Sequence, residues 1–141
     1  MYLFLELWSA KESWLSLSET EKSEFFKKIS DGVKDILEPD CKAIGWAIND
    51  PETAERLDYE YLALWQMPDK ETVEIFEKRI QELGWFEHFK QQHMRGKDIS
   101  LDDLKTKHMD AFYKFYLSTV EKKWAHAYLN RDFFDKIQDL L

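Results

Sequence analysis

At 141 residues the chain fits one domain, or one domain with an appendage. Its 44% hydrophobic and 16% aromatic content supplies a core, and its net charge of −8 argues against phosphate backbones and anionic membranes as partners, so neither nucleic acid nor membrane is expected. The single cysteine, Cys41, excludes an internal disulfide and a cysteine-based zinc site.

The first segment, YLFLELW over residues 2–8, alternates with a period of two and predicts a strand. Tyr2, Phe4, Glu6 and Trp8 share one face; Leu3, Leu5 and Leu7 share the other. The segment is apolar but lacks a basic leader, and Glu6 interrupts it, so it does not read as a signal peptide. No run reaches the ~20 apolar residues of a membrane span. A cytoplasmic protein is the expectation.

Residues 9–17 read as an irregular connection. Ser18-Glu19-Thr20-Glu21 is a capping box opening a helix over 18–37, with Phe25, Phe26, Ile29, Val33, Ile36 and Leu37 on one stripe and Pro39 closing it. Residues 41–48 predict a second strand, in which Ile44, Trp46 and Ile48 alternate with Ala43, Gly45 and Ala47. Small residues on a strand face admit something bulky. Asn49-Asp50-Pro51 reads as the start of one short helical turn.

A third strand follows over 59–67, with Tyr59, Tyr61, Ala63 and Trp65 alternating with Leu62 and Leu64. Asp69 caps a second helix with the stripe Val73, Phe76, Ile80 and Leu83, and Gly84 suits its C-terminal end. Residues 86–95 predict the last strand. The order strand, helix, strand, strand, helix, strand is the split βαβ pattern of a ferredoxin-like α+β sandwich over residues 1–97. Residues 98–141 read as a C-terminal helical extension packed on that domain, opened by Ser100 with Asp103.

Several elements together carry a resemblance: Glu6-Leu7-Trp8, Gly45-Trp46 with Asn49-Asp50, Asp58-Tyr59 with Tyr61 and Trp65, Gly84-Trp85 and Arg95-Gly96. The first two-thirds of the chain resembles the dimeric α+β barrel superfamily. Within it, the chain is similar to a family of small uncharacterised bacterial proteins. The resemblance implies a homodimer formed by pressing together two open sheet faces. It carries no established reaction. Superfamily relatives include cofactor-independent monooxygenases, haem-degrading enzymes, lactone isomerases and stress-induced proteins, so function has to be argued from the site.

Leu3, Leu5, Leu7, Leu62 and Leu64 are expected to face the helices, which leaves Tyr2, Phe4, Glu6, Trp8, Tyr61 and Trp65 on the open side. These rings either fill an interface between subunits or wall a ligand pocket lined by Trp8, Trp46, Tyr61, Trp65, Gln91 and Arg95. A carboxylate between Phe4 and Trp8 is costly to bury alone. Glu6 therefore either pairs with His93 or Arg95 on the last strand, or is a perturbed acid that, with His93, transfers protons. A lone histidine such as His93 is also one candidate for a haem ligand. The spacing of His88 and His93 makes no metal site, and no phosphate loop, nucleophile elbow or HExxH motif occurs, so neither metal nor cofactor is expected. Two functions remain open: binding or transforming a hydrophobic small molecule in a monooxygenase- or isomerase-like way, and a non-catalytic structural or stress-related dimer acting through protein partners.

Overall fold

A computed structural model describes residues 1–110. Met1–Asp98 form one compact unit, built in the order β1 (Tyr2–Ala10), α1 (Glu12–Leu15), α2 (Glu19–Leu37), β2 (Lys42–Ile48), β3 (Tyr61–Met67), α3 (Lys70–Glu82), α4 (Trp85–His88) and β4 (Phe89–Lys97). The four strands form one antiparallel sheet in the order β2-β3-β1-β4. This is the ferredoxin-like α+β arrangement.

Local chemistry sets the helix ends. Ser18 Oγ accepts from the Glu21 amide at 3.1 Å, and Glu21 Oε2 accepts from the Ser18 amide at 2.8 Å, completing the capping box of α2. Glu38, ahead of Pro39, turns to extended backbone and ends that helix. Asp69 caps α3 by accepting from the Thr72 amide at 2.8 Å. The helices meet closely at Gly32, where an added Cβ would lie 2.7 Å from the Leu83 side chain. Arg79 ties the same junction, donating to the Gly32 carbonyl at 2.6 Å and to Asp35 at 3.0 Å.

Two local expectations are corrected. Residues 12–15 form a short helix that buries Trp14 against Phe26 and Phe89. Residues 85–88 form the short helix α4, so the last strand begins at Phe89 and not at residue 86. The reason is that Trp85 and Phe89 stack at 4.2 Å, a contact that helical spacing supplies and an extended strand does not. The short turn expected at Pro51 is present, closed by the Thr53 amide donating to the Asp50 carbonyl at 3.2 Å. Asn49 donates to the carbonyls of Leu57 and Tyr59, and Asp50 accepts from the Glu52 amide, so both side chains brace a loop.

The largest correction concerns the faces of the sheet. Phe4, Ala63 and Met67 are fully buried with Ile29, Val33, Val73, Phe76 and Ile80 of α2 and α3. The aromatic face, not the leucine face, lies under the helices. Leu3, Leu5, Leu7, Leu62 and Leu64 lie on the side that no helix of this unit covers. Both faces of β1 are apolar, so alternation shows which residues share a face but not which face the helices take.

Residues 101–110 are helical, and Ser100 Oγ accepts from the Asp103 amide at 3.0 Å. The remainder of the expected helical extension lies outside the described residues.

Candidate functional site

A cavity of about 360 Å³ lies between the helix-covered face of the sheet and α2. The strands contribute Glu6, Trp8, Trp46 and Trp65; α2 contributes Phe26, Ile29, Ser30, Val33 and Leu37; Phe76, Ile80 and Trp85 complete the wall. Trp46 and Phe26 are 65% and 50% exposed, so they mark the side open to solvent. Trp46 stands edge-on to Trp65 at 5.6 Å.

Among the described residues Glu6 is the only acidic or basic side chain on this wall, and it is 8% exposed. Trp65 Nε1 donates to its Oε2 at 2.8 Å, and Gln91 Nε2 donates to its Oε1 at 2.9 Å. Trp85 Nε1 in turn donates to Gln91 Oε1, which fixes the orientation of the amide. Burial pushes the Glu6 carboxyl up from 4.5 to about 7; the two donors oppose the rise and the nearby Glu77 carboxylate adds to it.

Register places His93 directly across from Glu6 and Arg95 across from Phe4, so all three share a face as the sequence indicates. The expected pairing does not form. Arg95 turns to α3, with Nη2 3.2 Å from Glu74 and Nη1 3.2 Å from Glu77. His93 reaches Glu6 only through Gln91, whose Nε2 lies 2.6 Å from His93 Nε2. The other ring nitrogen faces Glu77 at 3.7 Å. A donor at Gln91 makes His93 Nε2 the acceptor and leaves the proton on Nδ1. Burial holds the His93 pKa below its ordinary value, consistent with this neutral form. The ring packs between Phe4 and Phe86, with Nε2 on Gln91 and Nδ1 turned toward Glu77 beyond hydrogen-bond distance. His88 sits on α4 beside Phe25 and Ser13, away from His93. Among the described residues no group of three or more metal-ligating side chains is placed to hold an ion.

Of the residues singled out from sequence, Glu6, Trp8, Trp46 and Trp65 line the cavity. Tyr61 stacks on Trp8 at 5.8 Å and lines a neighbouring hollow of about 450 Å³, which shares Trp8, Phe26 and Trp85 with the first. Gln91 stands behind Glu6, and Arg95 belongs to the α3 ion cluster. Sequence reasoning missed Ser30, Trp85 and the α2 wall. The signal was present: Phe26, Ser30, Val33 and Leu37 recur at helical spacing, and Ser30 puts a small polar residue inside an apolar stripe.

The chain shares its ferredoxin-like α+β fold with solved structures of low sequence identity. A mutant chlorite dismutase from Candidatus Nitrospira defluvii superposes with a TM-score of 0.60 at 14% identity, over 75% of this chain. This chain spans only 44% of the length of that protein. Looser matches are At3g17210 of Arabidopsis thaliana (TM-score 0.49, 20% identity, covering 72% of this chain and 98% of that one) and a dabb family protein with a ferredoxin-like fold from Mesorhizobium loti (0.42, 11%, 70% and 97%). The chain belongs to the family of unknown function DUF6616, whose model matches residues 1–111. A second model, described as peptidoglycan biosynthesis/recognition, matches residues 84–141. No curated protein matches the chain in sequence.

Proposed function

We propose that this protein binds a hydrophobic, largely aromatic small molecule in the cavity between its sheet and α2. The observation that carries this reading is a 360 Å³ space walled by aromatic and aliphatic side chains around one buried carboxyl, Glu6. Ligand sites are of this kind: mostly apolar, a few hundred Å³, with a small number of placed polar groups. If the site is catalytic, proton transfer is the chemistry its residues suit, in an isomerase- or monooxygenase-like reaction. Glu6 is the acid or base, and His93 acts one hydrogen bond behind it through Gln91.

The test is titration of the full chain with small uncharged aromatic compounds, followed by the indole N–H resonances of Trp46, Trp65 and Trp85. Binding should shift these signals, and Ser30→Trp, at an exposed α2 position that lines the cavity, should abolish the shifts while the protein stays folded. Unmoved indole signals across the panel would rule the reading out.

A second reading is favoured by a different observation. Leu3, Leu5, Leu7, Leu62, Leu64 and Met94 form an aliphatic strip on the uncovered face, with Met94 71% exposed. Such a strip suits pairing with a second copy of the sheet. In this reading the protein is a homodimer, and without ligand chemistry it acts as a structural or stress-related dimer through protein partners.

A further inference from the structure

We infer that the ligand of this cavity presents a neutral hydrogen-bond acceptor, an aryl ketone, quinone or lactone oxygen, to Glu6, which acts as the donor. The inference rests on the small-molecule reading above and names the chemistry of the same site.

The argument starts from what surrounds Glu6. Its two hydrogen-bond partners both donate to it: Trp65 Nε1 to one oxygen at 2.8 Å and Gln91 Nε2 to the other at 2.9 Å. The Gln91 amide cannot reverse without breaking its bond from Trp85 Nε1. Among the described residues no cation pairs with Glu6. Arg95, on the same sheet face, has its guanidinium on Glu74 and Glu77. His93 is neutral toward this side, and Glu77 on α3 is itself negative. From α2 the cavity receives apolar side chains and the hydroxyl of Ser30, which forms no hydrogen bond with Glu6. A buried carboxylate lacking a cation is costly, and the neutral acid is the cheaper form.

A neutral carboxyl has an O–H that needs an acceptor. Among the described residues no protein acceptor is bonded to Glu6. The remaining direction is the cavity it lines, so the O–H is satisfied by what the cavity holds. The surrounding rings of Trp8, Trp46, Trp65 and Trp85 suit a flat, uncharged body behind that acceptor.

The experiment compares two probes of nearly equal shape, acetophenone and ethylbenzene, on the full chain, read by the Trp65 indole signal at about pH 6 and about pH 8.5, either side of the Glu6 value of about 7. Acetophenone should bind roughly fivefold more tightly at the lower pH, the size of one neutral hydrogen bond. The preference should vanish at the higher pH. Glu6→Gln, which keeps a donor that does not titrate, should make the preference independent of pH. Glu6→Leu should erase it while ethylbenzene still binds. Equal binding of both probes at the lower pH overturns the inference and leaves the small-molecule reading standing. Binding of neither probe overturns both.

Discussion

Gln91 holds Glu6 and His93 with a single amide nitrogen, 2.9 Å from the carboxyl and 2.6 Å from the imidazole. Trp85 fixes the other end of that amide. The two titratable groups therefore do not pair directly. One indole on a short helix sets the orientation of the link between them. Low local dielectric strengthens such a network when every member is satisfied and penalises it when one is removed.

Gln91→Leu should then cost about 1–3 kcal/mol, because the Trp85 N–H loses its acceptor and Glu6 loses a donor. The Glu6 carboxyl should also titrate at a higher pH, since a bond that lowers its pKa is gone. Chemical denaturation and a carboxyl NMR titration read the two effects. An unchanged midpoint together with an unchanged titration would show the network to be idle.

Stability should depend on pH through Glu6. Its folded pKa of about 7 lies above its ordinary value of 4.5, so the folded state holds the proton more tightly. The associated stability is fully present below about pH 4.5 and is lost as pH rises through about 7, by roughly 3 kcal/mol in total. Glu6→Gln lacks this dependence, so its stability relative to the native chain should rise over that interval. Parallel stability curves for the two proteins would contradict the placement of Glu6.

Truncating Phe4 tests the assignment of faces. It is fully buried, edge-on to Phe76 at 5.9 Å and to His93 at 5.0 Å. Phe4→Ala should cost about 3–5 kcal/mol. Leu3→Ala, at 38% exposed on the other face, should cost far less in the monomer. A reversed order of the two losses by denaturant unfolding would restore the opposite facing.

The homodimer proposal is checked by charge on the aliphatic strip. Leu64→Lys or Leu5→Glu should convert a dimer to a monomer while keeping the fold, as measured by light scattering with dichroism. A native chain that is monomeric at micromolar concentration would dismiss the proposal.

Much of this fold is legible in one sequence because its signals are local. The capping box at Ser18 and Glu21, Asp69 ahead of α3 and the period-two runs each act over a few residues. That Glu6 and His93 lie on neighbouring strands is an expectation from the βαββαβ pattern; the register that sets them directly opposite is read from the structure. The covered face of β1 is not local. Phe4 and Leu5 are both apolar, and which of them the helices cover is settled only when helices and sheet pack together. The partner of Arg95 is likewise set by Glu74 and Glu77, one helical turn apart on α3, a relation that appears only once helix and strand are packed. Gly84, at φ 88°, does end α3 as expected, yet it also opens α4, so a stop signal serves as a start.

The packing of the indoles has an optical consequence. Trp8 and Trp85 lie 6.1 Å apart nearly at right angles, and Trp46 and Trp65 lie 5.6 Å apart at 89°. Rings this close couple their electronic transitions. The far-ultraviolet dichroism of the native protein should carry an aromatic exciton band over its helix signal, and helix content read from that spectrum alone should be misjudged. The same band should collapse before the backbone signal does if the rings separate first, so one spectrum would distinguish loosening of the cavity wall from unfolding of the chain.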